Sequence, residues 1–412
     1  MKAVARALLT AALISGLAGS ALANTSNETG VFRFPSAEIP DETALRSAVQ
    51  SSAVRRIVVE KGTHTLTAPL FVFGREDGLT ICSASGKASN TTFELQSTVN
   101  GPLILVEQSR NVEIVDLSLT NRNPVQPVVS LSAVVTLGQG PVESFCQDVR
   151  IEKCRIRGGI GMRATTGVEQ VTVERTRFTV VTGNGRGIDW QDGDALFVNR
   201  CTFQTDDATA FAGILVQGVG GTLSDGERSR NLVFSRNRVQ GDFQFGIDVG
   251  DVDGIRVRRN KIRFPDSIVT PPGGSTTAGR IGVRVRRLAS SSDSDDAVFR
   301  SNRVRGAHYG LVVENVRTGA IRRNDLRTCG SSATDDRFGD NGGGLRIVLN
   351  AGECRFDIER NDVRSLASPN DQPAFRFVPG VRAIECFQDD DGAFDSRRNK
   401  SGNRALIEGA TP

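Results

Sequence analysis

Four fragments repeat one order: FSRNRVQG from Phe234, VRRNKIRF from Val257, FRSNRVRG from Phe299 and IRRNDLRT from Ile321. Each runs apolar residue, two polar residues, asparagine, spacer, aliphatic. Aligned on the asparagines, the column reads Asn237, Asn260, Asn302, Asn324 and Asn361, and continues upstream through Leu117, Cys154, Thr176 and Cys201. The shortest steps are 22, 22 and 23 residues, and the others are 25, 36, 37 and 42. A fixed minimum with longer excursions is the pattern of a solenoid whose coils carry loop insertions.

A second signature precedes each asparagine: a glycine followed by alternating apolar residues, at Gly187, Gly213, Gly246, Gly282, Gly310 and Gly344. Alternation of period two marks strands with one buried face. A third short strand follows the asparagine, as in RVQG and KIRF. Leucine-rich repeats share an apolar-x-apolar-x-x-Asn core at similar period. They would need one strand and a helical or extended half per repeat, whereas two strand signals here precede the asparagine and one follows. Three strands per turn predict an all-β fold, a parallel β-helix of about ten coils. Coils one strand spacing apart, about 4.8 Å, let the asparagine amides stack as a ladder that satisfies polar groups in the turn. Cys154, Thr176 and Cys201 are small substitutes in that column. Cys154 and Cys201, two coils and roughly 9.6 Å apart, are too distant for a disulfide.

The glycine strand, the asparagine turn and the start of the chain resemble the right-handed parallel β-helix superfamily typified by pectate lyases. TALRSAVQSS reads as an N-terminal capping helix with Ala44, Leu45, Ala48 and Val49 on one face, and RIVVEKGTHTL and GLTICSASG resemble the first coils. The resemblance covers residues 31–365 and implies one right-handed solenoid domain over 24–412. Within it, 31–60 is the N-terminal cap, and 366–412 holds the last coils and a C-terminal cap over the open end. The fold hosts lyases, hydrolases, epimerases, esterases and adhesins, so activity must come from the site.

Residues 1–23 carry Lys2 and Arg6, an apolar stretch and Ala21-Leu22-Ala23, the pattern of a cleaved secretory signal. No later run is long enough to span a bilayer, and the expected location is secreted or periplasmic. All seven cysteines follow this segment, where an oxidising compartment would permit bridges. The number is odd, which leaves at least one unpaired within the chain. Cys329, Cys354 and Cys386 are close enough in coil count for one pair among them. With no C-x-x-C spacing and two histidines, zinc is not expected. Net charge is +4, and arginine outnumbers lysine 45 to 6. The guanidinium fork grips carboxylate, sulfate or phosphate as lysine cannot. Interspersed acids and few aromatics argue against nucleic acid.

In the superfamily, ligands lie along the outer face of the first strand, flanked by turn loops. Two long insertions, RFPDSIVTPPGGSTTAGR and TCGSSATDDRFGDNGGG, fall before glycine strands, and SSSDSDDA follows GVRVRRL on the opposite lip. Alternation places Ile188, Trp190, Ile247, Val249, Leu345 and Ile347 inward. The outward column reads Asp189, Leu215, Asp248, Arg284, Val312, Arg346, and a neighbouring one reads Gln191, Gln217, Gly250, Arg286, Glu314, Val348. His308 aligns with Arg280 and Gln244. Tyr309, in the column of Phe245 and Ile281, is expected to be core packing. For a uronate eliminase, Arg or carboxylate-held Ca²⁺ neutralises the carboxylate beside the acidic proton, and a base removes that proton. The candidates are Asp248, Arg284 and His308 as catalytic groups. Asp189, Asp206, Asp207, Arg280, Arg286 and Arg346 are candidates for substrate binding, Ca²⁺ is the candidate cofactor, and an acidic polysaccharide is the expected partner. CTFQTDDATAF is similar to the paired-aspartate motif of polygalacturonase-type hydrolases. However, Arg186 replaces an aspartate of the preceding motif, no Gly-His-Gly follows, and Arg280-Ile281-Gly282 is the nearest string to its Arg-Ile-Lys. The leading reading is an exported polysaccharide-directed protein, in enzymatic form a lyase. The alternatives are a non-catalytic envelope or adhesive scaffold and, behind it, a hydrolase using Asp206 and Asp207.

Overall fold

The computed structural model describes residues 29–133, 146–165, 167–191, 193–205, 210–217, 229–265, 280–286, 297–316, 318–326, 343–348, 355–363, 375–377, 400–401 and 407–408. The proposed signal, Asp206, Asp207, Cys329, Cys354 and Cys386 lie outside them. The strands form three long sheets, parallel at every pairing. Sheet 1 holds the glycine strands and is twelve strands deep among the described residues. Sheet 2 holds the strands that lead into the asparagines, and sheet 3 the short strands after them. Each coil visits the three in turn, which is a single parallel β-helix. Its depth agrees with the expectation of about ten coils, and the short strands at Phe375–Phe377 and Ile407–Glu408 are the last rungs of sheet 1.

The corner between sheets 2 and 3 is built by the ladder. In the described coils from Asp116 onward, the residue before the ladder position is left-handed, with Arg236 at φ 56°, Arg259 at 56° and Arg323 at 57°. That conformation turns the chain in two residues and points the next side chain into the interior. Asn302 is representative: its Nδ2 donates to Val257 O at 2.8 Å and Asn324 Oδ1 at 3.0 Å, while its Oδ1 accepts from Asn260 N at 3.1 Å. The substitutes imitate half of this. Cys154 and Cys201 donate weakly through Sγ to Ile114 O and Val173 O, each at 3.4 Å, and Thr176 Oγ1 accepts from Cys154 N at 3.3 Å. Cys82, Cys146, Cys154 and Cys201 are all unbridged and buried.

The glycines of sheet 1 are required by room rather than by backbone angle. A Cβ on Gly246 would lie 2.5 Å from Gly282 O in the next rung and 2.8 Å from Ile262 Cγ2 of sheet 3. Gly187 and Gly282 meet the same 2.5 Å obstacle from Gly213 O and Gly310 O. The interior is otherwise close-packed aliphatic and aromatic, with Phe178 and Phe203 stacked at 4.9 Å between rungs.

Near the start of the stack, Glu42–Gln50 form a nine-residue helix whose Leu45, Ala48 and Val49 are buried in the same core. Asp41 opens it, accepting from Ala44 N at 2.8 Å. Glu42 ties it down by accepting from Thr67 N at 2.9 Å and Ala68 N at 3.0 Å.

Candidate functional site

The register of sheet 1 reproduces the columns read from sequence. Asp189 pairs with Leu215, Leu215 with Asp248, Asp248 with Arg284, Arg284 with Val312 and Val312 with Arg346. Gln217, Gly250, Arg286 and Glu314 stack beside them in the same order. The inward set holds too, with Trp190 buried and its Nε1 donating to Gly193 O at 3.1 Å.

The alternation breaks one residue before the glycine. Because Gly246 faces the interior and so does Ile247, Phe245 is turned outward. Phe245, Ile281 and Tyr309 therefore leave the main core and join Ala212, Leu215 and Val312 in a second apolar cluster on the outer side of sheet 1. Tyr309 packs as expected, but on the outer side rather than inside. This cluster is the floor on which the charges rest. Phe211 and Phe245 tilt against each other at 5.3 Å, and the Arg284 guanidinium lies 4.3 Å over the Phe245 ring. Arg186 covers Phe211 at 5.3 Å and Arg346 covers Tyr309 at 5.7 Å. Such cation–aromatic contacts fix the guanidinium planes.

Three aspartates are consumed by these arginines. Arg284 grips Asp248 through both nitrogens of one edge, Nε to Oδ1 at 2.8 Å and Nη2 to Oδ2 at 2.7 Å. Asp248 is 1% exposed, so it works through Arg284 and does not meet solvent. Asp189, fully buried, accepts from Arg163 Nε at 3.1 Å, Arg186 Nη1 at 3.0 Å and Gln191 Nε2 at 3.3 Å. Arg280 pairs with Asp242 at 2.8 Å.

Glu314 is different. Among the described residues its side chain makes no ion pair or hydrogen bond, although Arg284, Arg286 and Arg346 act on it electrostatically. Burial pushes its carboxyl above the ordinary range; Arg284 and Arg286 pull it back, Asp248 pushes it further, and burial wins. Beside it, Arg286 is exposed and stands one rung away. The structure thus brings Asp248, Arg284, Arg286, Arg346 and Glu314 together. It does not bring His308 to them: His308 is buried against Tyr309 at 5.1 Å, four residues before the rung partner of Arg284, roughly 13 Å along the strand. Sequence reasoning aligned Glu314 without selecting it. The signal available was an acid between an arginine column and Val348, which acquires meaning only once three rungs are stacked. Among the described residues, no group of three His, Cys, Asp or Glu side chains could hold a metal ion.

These features define a class: a parallel β-helix with an arginine–carboxylate network on the outside of its glycine sheet. No protein-family model matches the chain, and no curated protein matches its sequence. Among solved structures, it is similar to a family 28 exopolygalacturonase of Yersinia enterocolitica, at 12% identity and TM-score 0.49, covering 87% of this chain and 79% of that one. It is also similar to the A-module of a mannuronan C-5 epimerase of Azotobacter vinelandii, at 12% identity and TM-score 0.44, covering 81% and 95%. An endo-xylogalacturonan hydrolase of Aspergillus tubingensis gives 11% identity and TM-score 0.43, covering 90% and 94%. At such values the likeness concerns architecture and carries no chemistry across. No helix among the described residues is long and apolar enough to cross a membrane.

Proposed function

We propose that the protein is exported to the periplasm or outside the cell, binds an acidic polysaccharide across sheet 1, and cleaves it by elimination. The observation that carries this reading is Glu314, the rung neighbour of exposed Arg286, a carboxyl that burial pushes toward higher pKa despite the opposing pull of three arginines. A base so tuned is stronger when ionised than an ordinary carboxylate, which suits removal of the proton next to a uronate carboxylate. Exposed Arg286, with Arg346, would hold that carboxylate and stabilise the negative charge that develops on it. The electron pair of the broken C–H bond forms the new double bond and expels the glycosidic oxygen, which takes up a proton. Asp248 acts as a positioning residue by locking Arg284. Arg280, farther along the strand, would meet an adjoining sugar, with buried His308 behind it as a positioning residue. Ca²⁺ is the cofactor to test, together with Asp206 and Asp207.

A second reading, a non-catalytic scaffold, draws on the arginine pairing of Asp189, Asp242 and Asp248. The deciding experiment incubates the mature protein with polyuronates, with and without Ca²⁺, and follows ultraviolet absorbance of the unsaturated product at about 235 nm, the band of the double bond that elimination by a positioned base creates. A rise abolished by Glu314→Gln and Arg286→Ala supports the lyase. Reducing ends without absorbance would point to hydrolysis through Asp206 and Asp207. A flat trace with unchanged reducing ends removes the enzyme and leaves the scaffold.

A further inference from the structure

The corner between sheets 2 and 3, the one that sheet 1 does not reach, carries a line of positive charge unrelated to the network above. Arg200, Arg236, Arg259 and Arg323 occupy its left-handed turn position, with φ of 55–57°. Arg238 and Lys261 follow two residues after Arg236 and Arg259 and are direct rung neighbours. All six are exposed, and among the described residues none of them forms an ion pair. The same corner is compensated farther out. Glu152 and Glu174 engage Arg150, Lys153 and Arg175 on one side, and Asp325 engages Arg303 and Arg305 on the other. Between Glu174 and Asp325 the columns of Arg236 and Arg238 contain no carboxylate.

The backbone does not ask for these residues. A left-handed turn position is most easily filled by glycine, asparagine or aspartate, and arginine contributes nothing to the ladder beneath. What the arginines create is a row of unneutralised forks on four of five successive rungs of about 4.8 Å, over roughly 19 Å from the Arg200 rung to the Arg323 rung, with Ser301 at the turn position of the remaining rung. Planar forks at regular intervals match carboxylate or sulfate groups displayed in line.

We propose that this corner is a second binding site, taking an extended anionic polysaccharide along the coil axis. The row has no aromatic residue on which bases could stack, which disfavours single-stranded nucleic acid. A straight ridge also meets a winding duplex over only a short arc. The proposal is independent of the chemistry assigned to sheet 1.

The test uses Arg236→Asn with Arg259→Asn, because asparagine keeps the left-handed turn and the fold. Both wild-type corner and double variant are placed in a full-length Arg286→Ala, Glu314→Gln background, which weakens the sheet 1 contribution and keeps it identical in the two proteins. Binding of labelled polygalacturonate and of a sulfated glycosaminoglycan is then measured against salt. We expect the variant to bind about 25-fold more weakly, about fivefold for each basic residue facing a dense anionic surface, with a shallower salt dependence. Equal binding by both corners overturns the proposal. So does tighter binding of duplex DNA than of either polysaccharide.

Discussion

Replacing Asn302 with alanine isolates what the ladder contributes. Its amide makes four hydrogen bonds: to Val257 O, to Asn324 Oδ1, and from both Asn260 N and Asn260 Nδ2 at 3.1 and 3.0 Å. Alanine leaves the Asn260 backbone N–H and the Val257 carbonyl without these partners in a dry interior. Each buried group left unmatched costs about 1–3 kcal/mol, so the loss is about 2–6 kcal/mol. Cysteine, which stands in this column at 154 and 201, keeps a weak donor toward the carbonyl but no amide oxygen, and should fall between. Urea unfolding gives the overall loss. Because coils unfold semi-independently, hydrogen exchange at the Asn260 amide gives the local one. If Asn302→Ala unfolds at the same midpoint as a surface control such as Arg322→Ala, and the Asn260 amide stays protected, the ladder is not holding the corner.

Two further outcomes follow from packing and burial. Gly246→Ala must displace the Gly282 carbonyl or Ile262 and should destabilise by 2 kcal/mol or more (about the middle of the overpacking range); Gly254→Ala, at φ 70° with open space around it, should lose only about 1 kcal/mol. For Glu314, a folded pKa raised above the unfolded value means its contribution is fully present at low pH and is lost as pH rises through the folded pKa. Glu314→Gln should therefore be more stable than wild type near neutrality and no more stable at pH about 3, and urea unfolding at both pH values would show it. A pH-independent difference would refute the assigned environment.

The coil path was readable because both of its signals are strictly local. Asn260 and Gly246 fix where the chain turns, and every rung of sheet 1 then falls into the register that alternation requires. The reason for the glycines was not readable, since it lies in the carbonyl of the next coil. The same cause hid the outward turn of Phe245, Ile281 and Tyr309: a pattern of period two cannot mark where a strand bends. The charged columns were legible as lists, but their pairing was not. Asp189 is neutralised by Arg163 from the rung before and Arg186 from its own strand, and Glu314 owes its isolation to groups on three coils. The paired-aspartate motif at Asp206 and Asp207 lies outside the described residues.

Asn260 and Asn302 are 42 residues apart and Asn302 and Asn324 only 22, yet the hydrogen bonds joining each pair are nearly the same, 3.1 and 3.0 Å. Doubling the length of a flexible connection adds only about 0.6 kcal/mol of closure entropy, so the stack scarcely registers how much chain is spliced between rungs. The junctions on either side of sheet 1 are in effect insertion ports. A chain of this kind can acquire or exchange a long surface segment there without renegotiating its interior.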